Sequence, residues 1–123
     1  MADPLWVALD LAYQAGYLLK KLYHQRHTVS RKSSEIDLVT EADWASERLI
    51  VDAIRKQFPQ HTILSEEGLG DLDHLADNVP FLWLIDPLDG TVNYAHGFPA
   101  WGVSLALVEQ GQVILGVSYD PLR

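Results

Sequence analysis

An apolar run that ends at two aspartates most strongly limits how this chain can fold. Residues 81–85 (FLWLI) have the composition of a buried strand, and residues 86–91 (DPLDGT) follow directly. Pro87 predicts a turn between the two aspartates, and Gly90-Thr91 predicts the start of a short helix. Carboxylates at the end of a buried strand, beside free helix N–H groups, predict a site for a divalent cation and a phosphate together.

The same hexapeptide has a plainer interpretation, an ordinary Asp-Gly turn with a capping aspartate. A second acidic pair, Glu66-Glu67, ends an earlier apolar run and favours the cation site, because a shared cation relieves the repulsion between carboxylates. Neighbours in a strand face opposite sides, so one of the two is expected to touch the metal. Leu88 offers no side-chain ligand, but its carbonyl lies inside the predicted turn.

Two helices are expected before the strands. The first runs from residue 4 to about 25, with an apolar stripe at helical spacing (Leu5, Leu9, Ala12, Gly16, Leu19 and Tyr23). A polar loop at 27–35 and a short extended segment at 36–39 follow. Residues 40–43 (TEAD) have the form of a capping box, with Thr40 as N-cap and Asp43 in the first turn. The second helix then reaches about Gln57 and buries Ala45, Leu49, Ala53 and Ile54.

Several short strands follow these helices. They are predicted at 62–65, at 81–86, and as a hairpin of 101–108 and 112–119 around Gln110-Gly111. This order predicts a layered α/β (α+β) sandwich, in which two N-terminal helices pack on a largely antiparallel sheet.

Composition and net charge limit the kinds of molecule that this chain is expected to bind. The net charge of −8 argues against nucleic acid, since phosphate backbones require Lys/Arg patches. The chain has no cysteine, which excludes disulfides and thiolate zinc sites. The N-terminus lacks the pattern of a signal peptide, and no apolar run approaches the roughly 20 residues that span a bilayer. A soluble, cytoplasmic protein without membrane partners is therefore expected. The five histidines lack metal-ligand spacing and are predicted at the surface or in loops.

Single residues near these motifs each allow two interpretations. Asp43 serves either as a helix-capping carboxylate or as a functional one. Lys32, in its polar loop, is a solvated charge when taken alone. Thr91 either caps a helix or orients a water molecule whose proton a carboxylate accepts.

Taken together, the motifs resemble the inositol monophosphatase family of Mg²⁺-dependent, lithium-sensitive phosphomonoesterases. The resemblance covers nearly the whole chain, most clearly from residue 32 onward. The resemblance rests on five motifs: KSS at 32–34, DLVTEAD at 37–43, SEE at 65–67, WLIDPLDGTVNY at 83–94 and GFP at 97–99.

The resemblance implies a set of roles. Mg²⁺ would be held by Glu66, Asp86, Asp89 and the Leu88 carbonyl, and the substrate phosphate by the backbone of Gly90 and Thr91. Thr91, Asp43 and Glu66 would activate the attacking water. Lys32 and Glu67 would lie next to these groups without contacting the metal. The implied reaction is in-line hydrolysis of a small-molecule phosphate monoester by metal-activated water, without a covalent phospho-enzyme. A homodimer is also implied.

Family members are substantially longer than this chain. Residues 1–123 are therefore expected to form the N-terminal metal- and phosphate-binding domain of the sugar-phosphatase fold, with the C-terminal half absent. Three alternatives stay open for the substrate, namely histidinol phosphate, a phosphoadenosine nucleotide and fructose bisphosphate. A further alternative is an inactive metal-binding or dimerisation module.

Overall fold

Two long helices lie on one face of a four-stranded mixed sheet. The computed structural model describes residues 2–29, 35–65 and 78–123. The helices and strands in this part of the chain are α1 (Pro4–Val29), α2 (Glu35–Gln57), β1 (Thr62–Ser65), β2 (Phe81–Asp89), α3 (Thr91–Ala95), β3 (Gly102–Glu109) and β4 (Gln112–Tyr119). The strand order is β1-β2-β3-β4, with β1 parallel to β2 and the other two pairings antiparallel. The predicted fold class is confirmed.

Helix α1 begins with a standard capping arrangement. The Leu5 N–H donates to Asp3 Oδ1 over 2.9 Å, and Pro4 takes the first helical position, where its missing N–H costs nothing. The core face carries the residues Ala8, Leu11, Ala12, Ala15, Leu19 and Tyr23. The predicted stripe is right from Ala12 onward, whereas Leu5 and Leu9 are exposed. The helix also runs past the predicted end at residue 25.

Helix α2 corrects two predictions. It starts at Glu35, so residues 36–39 are helical rather than extended, and Thr40 lies inside the helix instead of capping it. The buried row is Leu38, Ala42, Ser46, Ile50 and Ile54, one residue every four. Ala45, Leu49 and Ala53, predicted to be buried, lie at the margin of that row and are partly exposed. Burial of this long row against the sheet outweighs the extended propensity of residues 36–39.

The β3–β4 hairpin has the predicted turn. Glu109 pairs with Gln112, so Gln110 and Gly111 form a two-residue loop with φ angles of 49° and 82°. Two positive φ angles define the type I′ geometry, whose twist matches that of the flanking strands. The turn sets the pairing next to it, and further along the hairpin the register shifts between Leu107 and Val108, where one step of β3 opposes two steps of β4.

The core lies between the helices and the sheet. Trp83, Ile85 and Leu88 of β2 and alternate residues of β3 (Val103, Leu105 and Leu107) are buried there against α1 and α2. None of the helices that the structure describes is long and apolar enough to span a membrane.

His61 lies in the loop between α2 and β1, as predicted, but its ring is half-buried. It precedes β1 and stacks between Phe58 and Phe81, with ring centroids 4.7 and 4.4 Å away. The Trp83 Nε1–H donates to His61 Nδ1 over 2.9 Å. Because an indole nitrogen only donates, Nδ1 must carry a lone pair, which requires a neutral ring. Burial lowers the pKa of His61 below its usual 6.5.

We expect the free energy of unfolding to fall between pH 7.5 and pH 5.5. Because the pKa of His61 is lower in the folded chain than in the unfolded chain, the unfolded chain takes up the proton first as the pH falls. The contribution of His61 to the free energy of unfolding is therefore fully present above about pH 6.5 and decreases as the pH falls toward the pKa of the folded chain. Urea unfolding at the two pH values measures the difference. His61→Phe should reduce it and the exposed control His96→Gln should not, and an equal difference in both variants would contradict the assignment.

Candidate metal and phosphate site

The segment with two aspartates is a strand with a bulge rather than the predicted turn. Asp86 pairs with Ser104 and Asp89 pairs with Gly102, so three steps along β2 oppose two steps along β3. Pro87 lies inside this bulge, where the interrupted ladder does not require its missing N–H. Strand β2 consequently continues to Asp89, three residues beyond the predicted end.

The bulge brings both aspartates to the same face of the sheet. In a regular strand, residues three apart point to opposite faces, and one extra residue reverses that rule. Asp86 faces the same side as its partner Ser104, and Asp89 lines a cavity together with Ser104. Leu88 points the other way, into the core below the helices, so its carbonyl is the group it offers to a site.

Gly90 and Thr91 follow at once and start α3, as predicted. Gly90 has φ 84° and ψ 43°, the left-handed conformation, and its carbonyl accepts the Tyr94 N–H over 2.9 Å. A Cβ atom at Gly90 would lie 2.8 Å from the Ala100 carbonyl oxygen, so the position requires glycine for space as well as for φ. Asn93 Nδ2 donates to that same oxygen over 2.9 Å and fastens the returning chain to α3.

Aromatic residues hold α3 against α1. The buried Tyr94 hydroxyl donates to the Leu19 carbonyl over 2.8 Å, and the Tyr23 hydroxyl donates to the Gly97 carbonyl over 2.6 Å. The rings of Tyr23, Tyr94 and Trp101 pack together, with centroids 4.8–5.3 Å apart. The segment that starts at Gly90 therefore rests on a rigid support.

Helix α2 reaches the site from the helix side of the sheet. The buried Ser46 hydroxyl donates to the Pro87 carbonyl over 2.7 Å. The C-terminal end of α2 leads into β1, whose first residue Thr62 pairs with Leu82, so α2 runs antiparallel to β2. Asp43, three residues before Ser46, consequently lies toward the end of β2 where α2 contacts α3. It lies in the third turn of α2, so the capping interpretation of Asp43 is wrong.

Three predicted residues, Lys32, Glu66 and Glu67, lie outside the described residues. Strand β1 ends at Ser65, which pairs with Ile85, directly before Asp86. Within residues 2–29, 35–65 and 78–123, no three His, Asp or Glu side chains gather closely enough to hold a metal ion. The donors described there, two carboxylates and a main-chain carbonyl, are all oxygen atoms, and this chemistry fits Mg²⁺.

A cavity of about 460 Å³ opens beside Asp89 and Gly90. Its lining adds polar residues that the sequence motifs missed, namely Ser104, Ser118, Asp120 and Arg123. Ser104 and Ser118 share a hydrogen bond of 3.1 Å across β3 and β4, and Arg123 pairs with Asp120 at 3.3 Å. The alternation of β3 and β4 is the signal that predicts the two serines, since both lie on the face opposite the helices.

Comparison with known proteins yields consistent matches. Residues 2–123 match the sequence profile of the inositol monophosphatase family. The chain is 41% identical over 119 residues to the fructose-1,6-bisphosphatase/inositol-1-monophosphatase of Thermotoga maritima, covering 97% of this chain and 44% of the relative. It is 43% identical over 125 residues to the Nus factor SuhB of Escherichia coli K12, covering 100% and 45%.

Among solved structures, the inositol monophosphatase of Anabaena (Nostoc) sp. PCC 7120 superposes with a TM-score of 0.70. The identity is 41%, over 94% of this chain and 37% of that one. The chain thus spans less than half the length of the curated relatives it matches.

Proposed function

Because this chain belongs to the inositol monophosphatase family of phosphatases, we propose that it carries the metal- and phosphate-binding half of a Mg²⁺-dependent phosphomonoesterase that acts on inositol monophosphate or a similar polyol phosphate. The observation that carries the proposal is the β2 bulge, which turns Asp86 and Asp89 to one face directly before Gly90. A further domain is proposed to supply the recognition of the organic part of the substrate.

The proposed cation ligands are Asp86, Asp89, the Leu88 carbonyl and Glu66. Glu66 is included because β1 runs parallel to β2 and its last residue pairs with Ile85. Oxygen donors suit Mg²⁺, which keeps several waters and tolerates few protein ligands. When bound, Mg²⁺ would neutralise the charge that develops on the transferring phosphoryl group and activate water for attack.

The protein's own groups are proposed to bind and orient the substrate. The backbone at Gly90-Thr91 would hold the phosphate oxygens, since glycine lets a ligand approach the main chain closely. Thr91 would orient the attacking water, and Asp43 and Glu66 would accept its proton. Lys32 and Glu67 would tune the local charge. Lithium sensitivity, a homodimer and a cytoplasmic location belong to the same proposal, on the strength of the family.

Two alternatives differ from this proposal. The Thermotoga maritima relative is named for fructose-1,6-bisphosphatase as well as for inositol-1-monophosphatase, which favours a bisphosphate as a second substrate. The other alternative is a metal-binding or dimerisation module without turnover, which would bind a divalent cation without releasing phosphate. Histidinol phosphate and phosphoadenosine nucleotides remain further substrates to assay.

Phosphate release by this chain tests the proposal. Inositol 1-phosphate and fructose 1,6-bisphosphate are each incubated with Mg²⁺ and with EDTA, and binding of Mn²⁺ to the same chain is followed by electron paramagnetic resonance. We expect Mn²⁺ to bind and Mg²⁺ to displace it, and we expect any phosphate release to require Mg²⁺. Mn²⁺ binding without release would favour the non-catalytic module. A chain that neither binds Mn²⁺ nor releases phosphate would contradict the proposal.

A further inference from the structure

Ser46 is the fully buried polar side chain of the described core. Its relative exposure is 0%, and it occupies the middle of an otherwise apolar row on α2. Burying a hydroxyl is unfavourable unless it forms a hydrogen bond, and here it donates to the Pro87 carbonyl over 2.7 Å. The presence of a serine at position 46 needs an explanation, because alanine would fill the same space without burying a polar group.

The explanation lies in the bulge. Between Asp86 and Asp89 the pairing of β2 with β3 is interrupted, so residues 87 and 88 have no position in the ladder. Buried main-chain carbonyls require a hydrogen-bond partner, and Ser46 supplies one from the opposite layer. This hydrogen bond therefore connects α2 to Pro87, the first of the two residues that separate the aspartates.

The same contact sets the position of α2 along β2. Asp43 lies three residues before Ser46 on the helix, close to one turn, so both lie on the same side of α2. Sliding α2 along the sheet would break the Ser46–Pro87 bond and move Asp43 relative to Asp86 and Asp89. Apolar neighbours such as Ile50 resist such sliding through close packing, and the hydrogen bond adds a directional contact to that resistance.

We propose that Ser46 is a positioning residue of the cation site. Through the Pro87 carbonyl it fixes the shape of the bulge that turns Asp86 and Asp89 to one face of the sheet. The inference rests on the proposed function, because it takes this bulge to be the place where the cation binds.

Ser46→Ala tests the inference in the 123-residue chain, with Mn²⁺ as the probe. Ile50→Val, one turn further along the same buried face, is the matched control because it loosens the core without touching Pro87. We expect Ser46→Ala to raise the Kd for Mn²⁺ about tenfold, the lower end of the effect of removing a group that orients a ligand. Its Leu88 and Asp89 amide resonances should shift, whereas Ile50→Val should match the wild type in both.

The outcomes separate the two claims. Mn²⁺ affinity in Ser46→Ala equal to that of Ile50→Val, with unshifted Leu88 and Asp89 resonances, would overturn the inference and leave the cation site standing. A wild-type chain that fails to bind Mn²⁺ would overturn both the site and the inference.

Discussion

Replacing Asp89 with asparagine is expected to weaken Mn²⁺ binding at least about tenfold and to remove any Mg²⁺-dependent phosphate release. Asparagine keeps the shape of the side chain but loses the charge that a hard cation prefers. Changes to groups that merely orient ligands cost about 10–100-fold in metal affinity, so a direct ligand should cost at least as much. Because Asp89 is exposed at the end of β2, the free energy of unfolding should change little.

Glu109→Gln is the matched control for this experiment. It removes one negative charge from an exposed position at the opposite end of β3, roughly 20 Å along the strand from the residue that pairs with Asp89. Both variants change the net charge of the chain equally, so they share any long-range electrostatic effect. Titration of Mn²⁺ into both, followed by competition with Mg²⁺, should show a loss in Asp89→Asn alone. Equal affinities would contradict the assignment of Asp89 as a ligand.

Replacing Gly90 with alanine is expected to destabilise the fold by about 2–4 kcal/mol and to disrupt the site. Part of this cost comes from the left-handed φ of 84°, which costs roughly 1–2 kcal/mol for a residue with a Cβ. The rest comes from crowding, since the new atom would lie 2.8 Å from the Ala100 oxygen and 3.2 Å from the Trp101 Cα. Both contacts are with backbone, which cannot rotate away as a side chain would.

Gly116→Ala provides the comparison for Gly90→Ala. It lies in β4 at a position where no atom approaches within 4 Å of the added Cβ, and its backbone is not left-handed. Urea unfolding should place Gly116→Ala within about 0.5 kcal/mol of the wild type, because alanine also lowers the entropy of the unfolded chain. Similar unfolding midpoints in the two variants would show that Gly90 is not held in the left-handed conformation.

The sequence patterns predicted the order of the elements well where local signals and burial agree. The β3–β4 hairpin follows from alternating residues around Gln110-Gly111, and β1 ends where predicted at Ser65. They failed at the start of α2, where the run 36–39 has extended propensity and Thr40 resembles an N-cap. The helix includes both, because Leu38 and Ala42 extend a buried row that local propensity does not report.

The candidate site was also predictable from the sequence only in part. The motif predicted that Asp86, Asp89 and Gly90 act together, and their spacing along the chain was enough for this hypothesis. It did not predict that Pro87 sits in a bulge, because a proline between two aspartates favours a turn whenever the partner strand is unknown. It also missed Ser46, whose importance depends on a contact 41 positions away in the chain. A serine within an apolar row spaced by four was the available signal.

The bulge in β2 also makes this stretch sensitive to insertions. Asp86 and Asp89 share a face because one extra residue of β2 lies in the bulge, so three steps along β2 oppose two steps along β3. One more residue between the aspartates, with the bulge kept, would place them on opposite faces of the sheet, although every side chain needed for chemistry would still be present. A single-residue insertion here is therefore expected to separate the two carboxylates even when the strand itself still forms.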